Sequence, residues 1–236
     1  MKRVLLTTVS VLALTSGRPA LAAAPAFSWT GFYIGINAGA GWERTTLSDP
    51  DGAGLVGPLT DFDGTSSVTA NSSGFLGGGQ IGFNYQFAPG WIFGLEGQFS
   101  GADISGTFNG FSGTSFHTKT DWLASVTGRV GYAWAPNWLA YVKGGAAWAH
   151  NKYDVSYLGT WSASDTRSGW TIGGGLEWAF ASNWSASFEY QFYDFGTRTL
   201  DFVPSDSPFF FNASPQDVKQ QIHTVKLGIN YRFGPH

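Results

Sequence analysis

Three stretches of the chain repeat at a spacing of 46 to 47 residues: 82–94 (GFNYQFAPGWIFG), 131–142 (GYAWAPNWLAYV) and 176–186 (LEWAFASNWSA). Each leads from an aromatic-rich segment through a tight turn to a tryptophan. The turns are Ala-Pro-Gly, Ala-Pro-Asn and Ala-Ser-Asn, and the tryptophans are Trp91, Trp138 and Trp184. A fixed period of this length marks one supersecondary unit used several times. Here the unit is a hairpin with a very short turn at one end, and long polar connections link one hairpin to the next. Short turns on one side, long connections on the other and aromatics beside the turns predict a membrane-spanning β-barrel, with the three tryptophans in an interfacial girdle.

The segments between the turns alternate with the sheet period of two. Eight strands are predicted, over 32–42, 74–87, 91–100, 121–134, 138–149, 170–180, 184–195 and 222–233. One face of each is aromatic or aliphatic, as in Phe32, Ile34, Ile36 and Trp42 of the first strand. The other face carries Gly, Asn and Gln. Seven charged residues fall between the strand rims: Glu96, Arg129, Lys143, Glu177, Glu189, Lys226 and Arg232. All seven lie on the less aromatic face. An Arg or Lys facing lipid near the bilayer midplane costs about 2–4 kcal/mol, so this parity predicts that the charged face lines the lumen. An eight-stranded lumen is only wide enough for side chains to fill it. The seven charges are therefore expected to pair across it as a plug. The connections 43–73, 101–119, 150–168 and 196–220 are predicted to be long extracellular loops, and an even strand count puts both termini on the short-turn, periplasmic side.

Composition narrows the alternatives. Charged residues make up 12% of the chain, about half the usual share for a soluble domain. Beyond the N-terminal segment no apolar run approaches the roughly 20 residues of a transmembrane helix. A soluble β-sandwich would have to bury the Trp-rich face, and tryptophan recurring beside every turn speaks for the girdle instead. There is no Cys, which excludes disulfide and thiol chemistry. At the N-terminus, Lys2 and Arg3 precede an apolar run over 4–14 and the small-residue site Ala20-Leu21-Ala22. This predicts a signal peptide over 1–22, cleaved on export, and a barrel domain over 23–236. Its removal leaves ten basic against 16 acidic residues, too acidic for a nucleic-acid partner.

No motif predicts a cofactor or a metal. His117, His150 and His223 are expected near the extracellular rim, where neutral imidazole can ligate haem iron, but they lack a paired spacing and read first as solvated residues. His236 falls at the opposite end. The acidic turns Asp49-Pro50-Asp51-Gly52 and Asp61-Phe62-Asp63-Gly64 lack the ligand series of a calcium loop and fit ordinary turn chemistry. The run Pro204-Ser-Asp-Ser-Pro208 leads into an aromatic knot over 209–211. The glycine runs 77–79 and 173–175 have no strand-to-helix context for phosphate, and in a tight barrel glycine makes room or bends strands. No nucleophile, base and orienting group come together, so no enzyme is predicted.

The segments FSWTGFYIGINAGAGW (27–42) and HTVKLGINYRF (223–233) resemble the small outer-membrane barrels of Gram-negative alphaproteobacteria. That family includes abundant surface antigens and some proteins described as haemin-binding. The resemblance implies an eight-stranded antiparallel up-and-down barrel of the OmpA transmembrane type in the cell outer membrane. It also implies folding by the outer-membrane assembly machinery, which reads an aromatic C-terminal strand; Tyr231 and Phe233 match that signal, set back by Gly234-Pro235-His236. No peptidoglycan-binding domain follows, so cell-wall anchoring is not implied. The expected function is structural: the barrel supports the envelope among outer-membrane lipid and lipopolysaccharide and displays its loops. A narrow channel and a haemin- or ligand-binding surface protein are the alternatives. The sequence leaves open whether the chain forms a homo-oligomer.

Overall fold

The fold follows from one requirement: in hydrocarbon a strand edge has no partner for its backbone N–H and C=O groups, so a sheet must close on itself. The computed structural model of the chain describes residues 27–49, 56–59, 66–156, 159–204 and 214–233. Eight strands appear in chain order: β1 Gly31–Ser48, β2 Ser67–Ala88, β3 Trp91–Asn109, β4 Ser115–Ala135, β5 Trp138–Ser156, β6 Thr160–Ala181, β7 Trp184–Pro204 and β8 Ser214–Phe233. A one-turn helix, α1 Val56–Leu59, lies between β1 and β2, and a 3-10 turn, Phe111–Gly113, lies between β3 and β4. Every strand pairs antiparallel with its sequence neighbours. β1 and β8 then close the barrel, from Phe32 opposite Phe233 to Ser48 opposite Asp217.

The three repeated turns lie at one end. Gly90 takes a φ of +80° there, which a residue without Cβ adopts freely. Each turn also accepts a hydrogen bond from the strand that follows the next one. Ala133 N–H donates to Gly90 O at 2.7 Å, Ala179 N–H to Asn137 O at 2.8 Å and Arg232 N–H to Asn183 O at 2.8 Å. The sequence repeat is thus a stitch holding neighbouring hairpins at a common height.

At the other end the strands run further than expected. Thirteen to sixteen residues of each segment read as loop belong to strands: β5 continues to Ser156 and β6 begins at Thr160, so most of 150–168 is wall. The reason is a change of surroundings. Up to Trp148 the outward residues of β5 are apolar, and the sequence signal was tuned to that. Beyond it the outward residues are His150, Lys152 and Asp154, while Tyr153 and Val155 point inward and are buried. The alternation persists with its polarity reversed. Between Trp138 and Trp148 the wall rises ten residues, about 25 Å for a strand tilted at roughly 40°, which matches an outer-membrane apolar band. The signal segment 1–22, the turn residues Asp51–Gly52 and 61–64, the knot 209–211 and His236 lie outside the described residues; Asp49 is described and buried.

Candidate functional site

The inward faces of the strands line the barrel in layers, and β5 displays their order. From the turn end its inward residues are Leu139 and Tyr141, Lys143, Gly145, then Ala147 and Ala149, Asn151, and finally Tyr153 and Val155. The first two belong to an apolar floor with Trp29, Ile92 and Ala179. Ala147 and Ala149 join a middle apolar layer with Leu76, Ile104, Leu123 and Ile222. Tyr153 and Val155 join a roof with Leu47, Phe116, Trp161, Phe202 and Val218, which α1 covers with Val56 and Leu59. Two polar layers lie between these three.

The lower polar layer holds all seven wall charges, each 0–5% exposed. They form one ladder of alternating sign. Arg232 Nη2 stands 3.5 Å from Glu177 Oε1, and Glu177 Oε2 is 3.1 Å from Arg129 Nη2. Arg129 Nη1 is 3.6 Å from Glu96 Oε2, and Glu96 Oε1 is 2.7 Å from Lys143 Nζ. Lys143 reaches Glu189 Oε2 at 2.7 Å, and Glu189 Oε1 lies 3.2 Å from Lys226 Nζ. Every acid stands between two bases. That matters because Arg129 and Lys143 face each other directly across β4 and β5, where like charges repel. Glu96 offsets this by turning one oxygen to each. Buried charges that lack a partner are costly, and hydrogen bonds must satisfy what the ion pairs leave over. Ser185 Oγ donates to Glu177 Oε1 at 2.6 Å, Arg129 Nε donates to Asn84 Oδ1 at 2.8 Å and Lys226 Nζ donates to Gln191 Oε1 at 2.8 Å.

Two tyrosines complete this layer. Tyr33 O–H donates to Glu96 Oε2 at 2.6 Å and Tyr141 O–H to Glu189 Oε2 at 2.9 Å. The Arg129 guanidinium lies between their rings, 4.9 and 4.8 Å from the centroids. Each ring lies across a glycine on the neighbouring strand, Tyr33 opposite Gly82 and Tyr141 opposite Gly175. A Cβ on Gly82 would stand 2.4 Å from the Tyr33 hydroxyl, and one on Gly175 would stand 2.7 Å from that of Tyr141. The glycines make room for the rings. The sequence pattern did not single out these tyrosines, although each sits on the charged parity of its strand, which was the available signal.

The upper polar layer is built differently. Glu43, 3% exposed, has no ion pair among the described residues. Its carboxylate accepts from Thr45 Oγ1, from Thr120 Oγ1 at 2.7 Å and from Gln220 Nε2 at 2.9 Å. Gln220 and Asn151 exchange two amide hydrogen bonds, at 2.8 and 2.9 Å. Above them Arg167 is 1% exposed, with Nη1 on Val218 O at 2.8 Å. Glu43 and Arg167 fall in segments whose sequence predicts loops, and the longer strands β1 and β6 carry both into the wall with their side chains buried.

The outer face carries two aromatic rims. Trp91, Trp138 and Trp184 point outward at the turn end. Trp91 packs on Tyr132, Trp138 on Trp134 and Trp178, and Trp184 on Tyr231, with ring centroids 5.1–6.0 Å apart. Tyr231 in turn meets Phe233 at 4.9 Å, at the end of the closing strand. A second rim, Trp42, Trp122, Trp148 and Trp170, marks the other edge of the apolar band. The three histidines do not converge. They face outward from β4, β5 and β8, each bonded to its own hydroxyl. His117 Nδ1 pairs with Thr107 at 3.0 Å, His150 with Thr166 at 3.0 Å and His223 with Tyr190 at 2.7 Å. Among the described residues no three His, Cys, Asp or Glu side chains come together as a metal site.

The profile described as "Outer membrane protein beta-barrel domain" matches residues 9–233. A 31 kDa outer-membrane immunogenic protein of Brucella melitensis is 34% identical over 99% of this chain and 100% of its own length. A 22 kDa outer membrane protein of Rhizobium leguminosarum bv. viciae is 31% identical over 89% of this chain and 80% of its own. Among solved structures, the outer membrane protein OprG of Pseudomonas aeruginosa overlays with a TM-score of 0.50 at 14% identity, covering 86% of this chain and 97% of that one. The outer membrane protease OmpT of Escherichia coli gives 0.52 at 8% identity, covering 89% and 99%. At those identities the two structures share the fold alone.

Proposed function

The chain belongs to the outer membrane protein beta-barrel domain family, and from that premise we propose that it is a structural barrel of the Gram-negative outer membrane whose interior is sealed. In this reading it supports the envelope, and its loop end is displayed at the cell surface as an antigen. The observation that carries it is the layered lumen: a floor, an ion ladder, an apolar layer, a hydrogen-bonded layer and a roof succeed one another along β5. A water-filled path would have to displace every one of them. Residues 1–22 serve as the export signal, and Tyr231 and Phe233 present the assembly machinery with its aromatic C-terminal strand. Lipid contacts the two aromatic rims, with lipopolysaccharide on the outer side.

Two measurements test this. In planar bilayers the purified protein is expected to give no steady conductance at neutral pH; regular opening steps would establish the narrow channel instead. A strain lacking the gene is expected to take up a hydrophobic dye more readily and to recover with the wild-type copy. Unchanged uptake would remove the envelope role.

A further inference from the structure

One seam of the wall is open. Between β6 and β7 the ladder runs from Ala181 opposite Trp184 to Trp170 opposite Asp194, then resumes only at Ser162 opposite Val203. Over that interval 163–169 of β6 and 195–202 of β7 are not paired with each other. Both segments keep their other neighbours: Ala163 to Gly169 stay registered on β5, and Thr197 to Phe202 stay registered on β8. The gap is therefore a slit between two ordered edges. It begins at Trp170 of the outer rim, above the apolar band, so its unpaired backbone meets headgroups and water instead of hydrocarbon. Gly196 bends β7 away at the slit's lower edge with a φ of +64°. At the upper end a groove of about 420 Å³ opens outward, lined by Lys152, Asp154, Ser162, Ser164, Asp201 and Val203.

A side-chain clasp crosses the slit. Arg198 of β7, half exposed, donates from Nη1 to both oxygens of Asp165 of β6 at 3.1 and 3.0 Å and to Thr166 O at 3.3 Å. Behind the clasp stands Arg167. Its Nε lies 3.5 Å from Asp165 Oδ2, so Asp165 is compensated from both sides. Among the described residues its Nη2 has no hydrogen-bond partner. The guanidinium carbon lies 5.5 Å from the centre of the Tyr153 ring, and the Tyr153 hydroxyl, fully buried, also has no hydrogen-bond partner among the described residues. Glu43, the nearest acid of the layer below, is already occupied by Thr45, Thr120 and Gln220. Unused buried donors are rare because leaving them unmade is costly. Here one carries positive charge and the other is a neutral hydroxyl, and together they suit an oxyanion, which an arginine grips by charge-assisted hydrogen bonds.

We propose that the β6–β7 slit admits a phosphate group to a site in the barrel wall, held by Arg167 Nη2 and the Tyr153 hydroxyl, with the Arg198–Asp165 pair as its clasp. The phosphate is either free or the head of an outer-leaflet lipid. The site does not depend on whether the lumen conducts. The test uses the full barrel folded in dodecyl maltoside, titrated in one arm with inorganic phosphate and in the other with lauroyl lysophosphatidic acid mixed into the micelles, both read by phosphorus NMR. Saturable broadening is expected in at least one arm. Saturation by the lipid alone assigns a headgroup, and saturation by inorganic phosphate assigns a free anion. Arg167→Met is expected to weaken binding roughly tenfold. Arg198→Ala is expected to speed association and leave the affinity nearly unchanged. Absence of binding in both arms overturns the proposal, and so does unaltered binding by an Arg167→Met protein that still migrates as a folded, heat-modifiable barrel. Should that variant fail to fold, Tyr153→Phe removes only the hydroxyl; a loss of roughly threefold is expected, and unchanged affinity overturns the proposal as well.

Discussion

The two halves of the wall use the same ladder and opposite polarity. Within the apolar band β5 turns Trp138, Val142, Ala146 and Trp148 outward and Lys143 inward. Above it the same strand turns Lys152 and Asp154 outward and Tyr153 and Val155 inward. Both interiors carry buried layers, but these are built by different means. The lower half is inside-out, because lipid takes the apolar face and leaves the polar one to the lumen. It must then neutralise its charges in pairs. The upper half stands in water and closes over an apolar roof, as a soluble β-protein does. The pleat therefore decides which residues share a face, and the solvent decides what each face is made of.

This contrast can be broken first at the ladder. Arg129→Met removes the guanidinium between Glu96 and Glu177 and between two tyrosine rings. It is expected to lower unfolding stability by about 3–5 kcal/mol, seen as a fall in the urea midpoint of the heat-modifiable gel shift. A loss below about 1 kcal/mol would mean that the ladder does not hold the lower half. Leu47→Ala, in the roof, is expected to cost roughly 2–4 kcal/mol. Hydrogen exchange should speed up at the loop end and stay unchanged at Glu96, Arg129 and Lys143; faster exchange throughout would show the halves to be one cooperative unit. Trp138→Ala breaks the stacking with Trp134 and Trp178 and should cost about 1 kcal/mol, with slower insertion into vesicles. The smallest effect belongs to the exposed pair Lys119–Asp103, 3.2 Å apart: Lys119→Ala should fall within about 0.5 kcal/mol at any salt concentration.

The same contrast explains what could be read from the residues. Strand count, order and facing were legible in the lower half, where alternation is sharpest and charge has a forbidden side. Trp91, Trp138 and Trp184 announced the turns because each opens the strand that leaves one. Glu43 and Arg167 were lost because their strands had already passed the outer rim. Beyond it, outward residues such as Thr46 and Thr166 resemble loop residues, and the apolar partners that would have betrayed a strand, Leu47 and Val155, are sparse and inward. Tyr33 and Tyr141 were missed for a different reason. An aromatic on the polar parity looks like noise until the glycine opposite it, Gly82 or Gly175, is seen to give it space. Register is a long-range property that no single segment carries. The three histidines illustrate the limit: nearness to one rim, which sequence position indicates, is not convergence on one point.

The order in which the ladder is filled has a consequence for biogenesis. Both of its end members, Lys226 and Arg232, come from β8, and β8 supplies no acid to it. An unfinished sheet of seven strands would leave Glu177 and Glu189 each short of a cation, facing an interior not yet fenced off. Docking of the last segment cancels both deficits in the same event that joins the two free edges. Misregistered closure would be punished electrostatically as well as by lost backbone bonds, so the final strand acts as a proof-reader of the whole cylinder. A Lys226→Met, Arg232→Met chain is accordingly expected to accumulate as unclosed, protease-sensitive material during refolding into vesicles, even where the seven preceding strands have inserted.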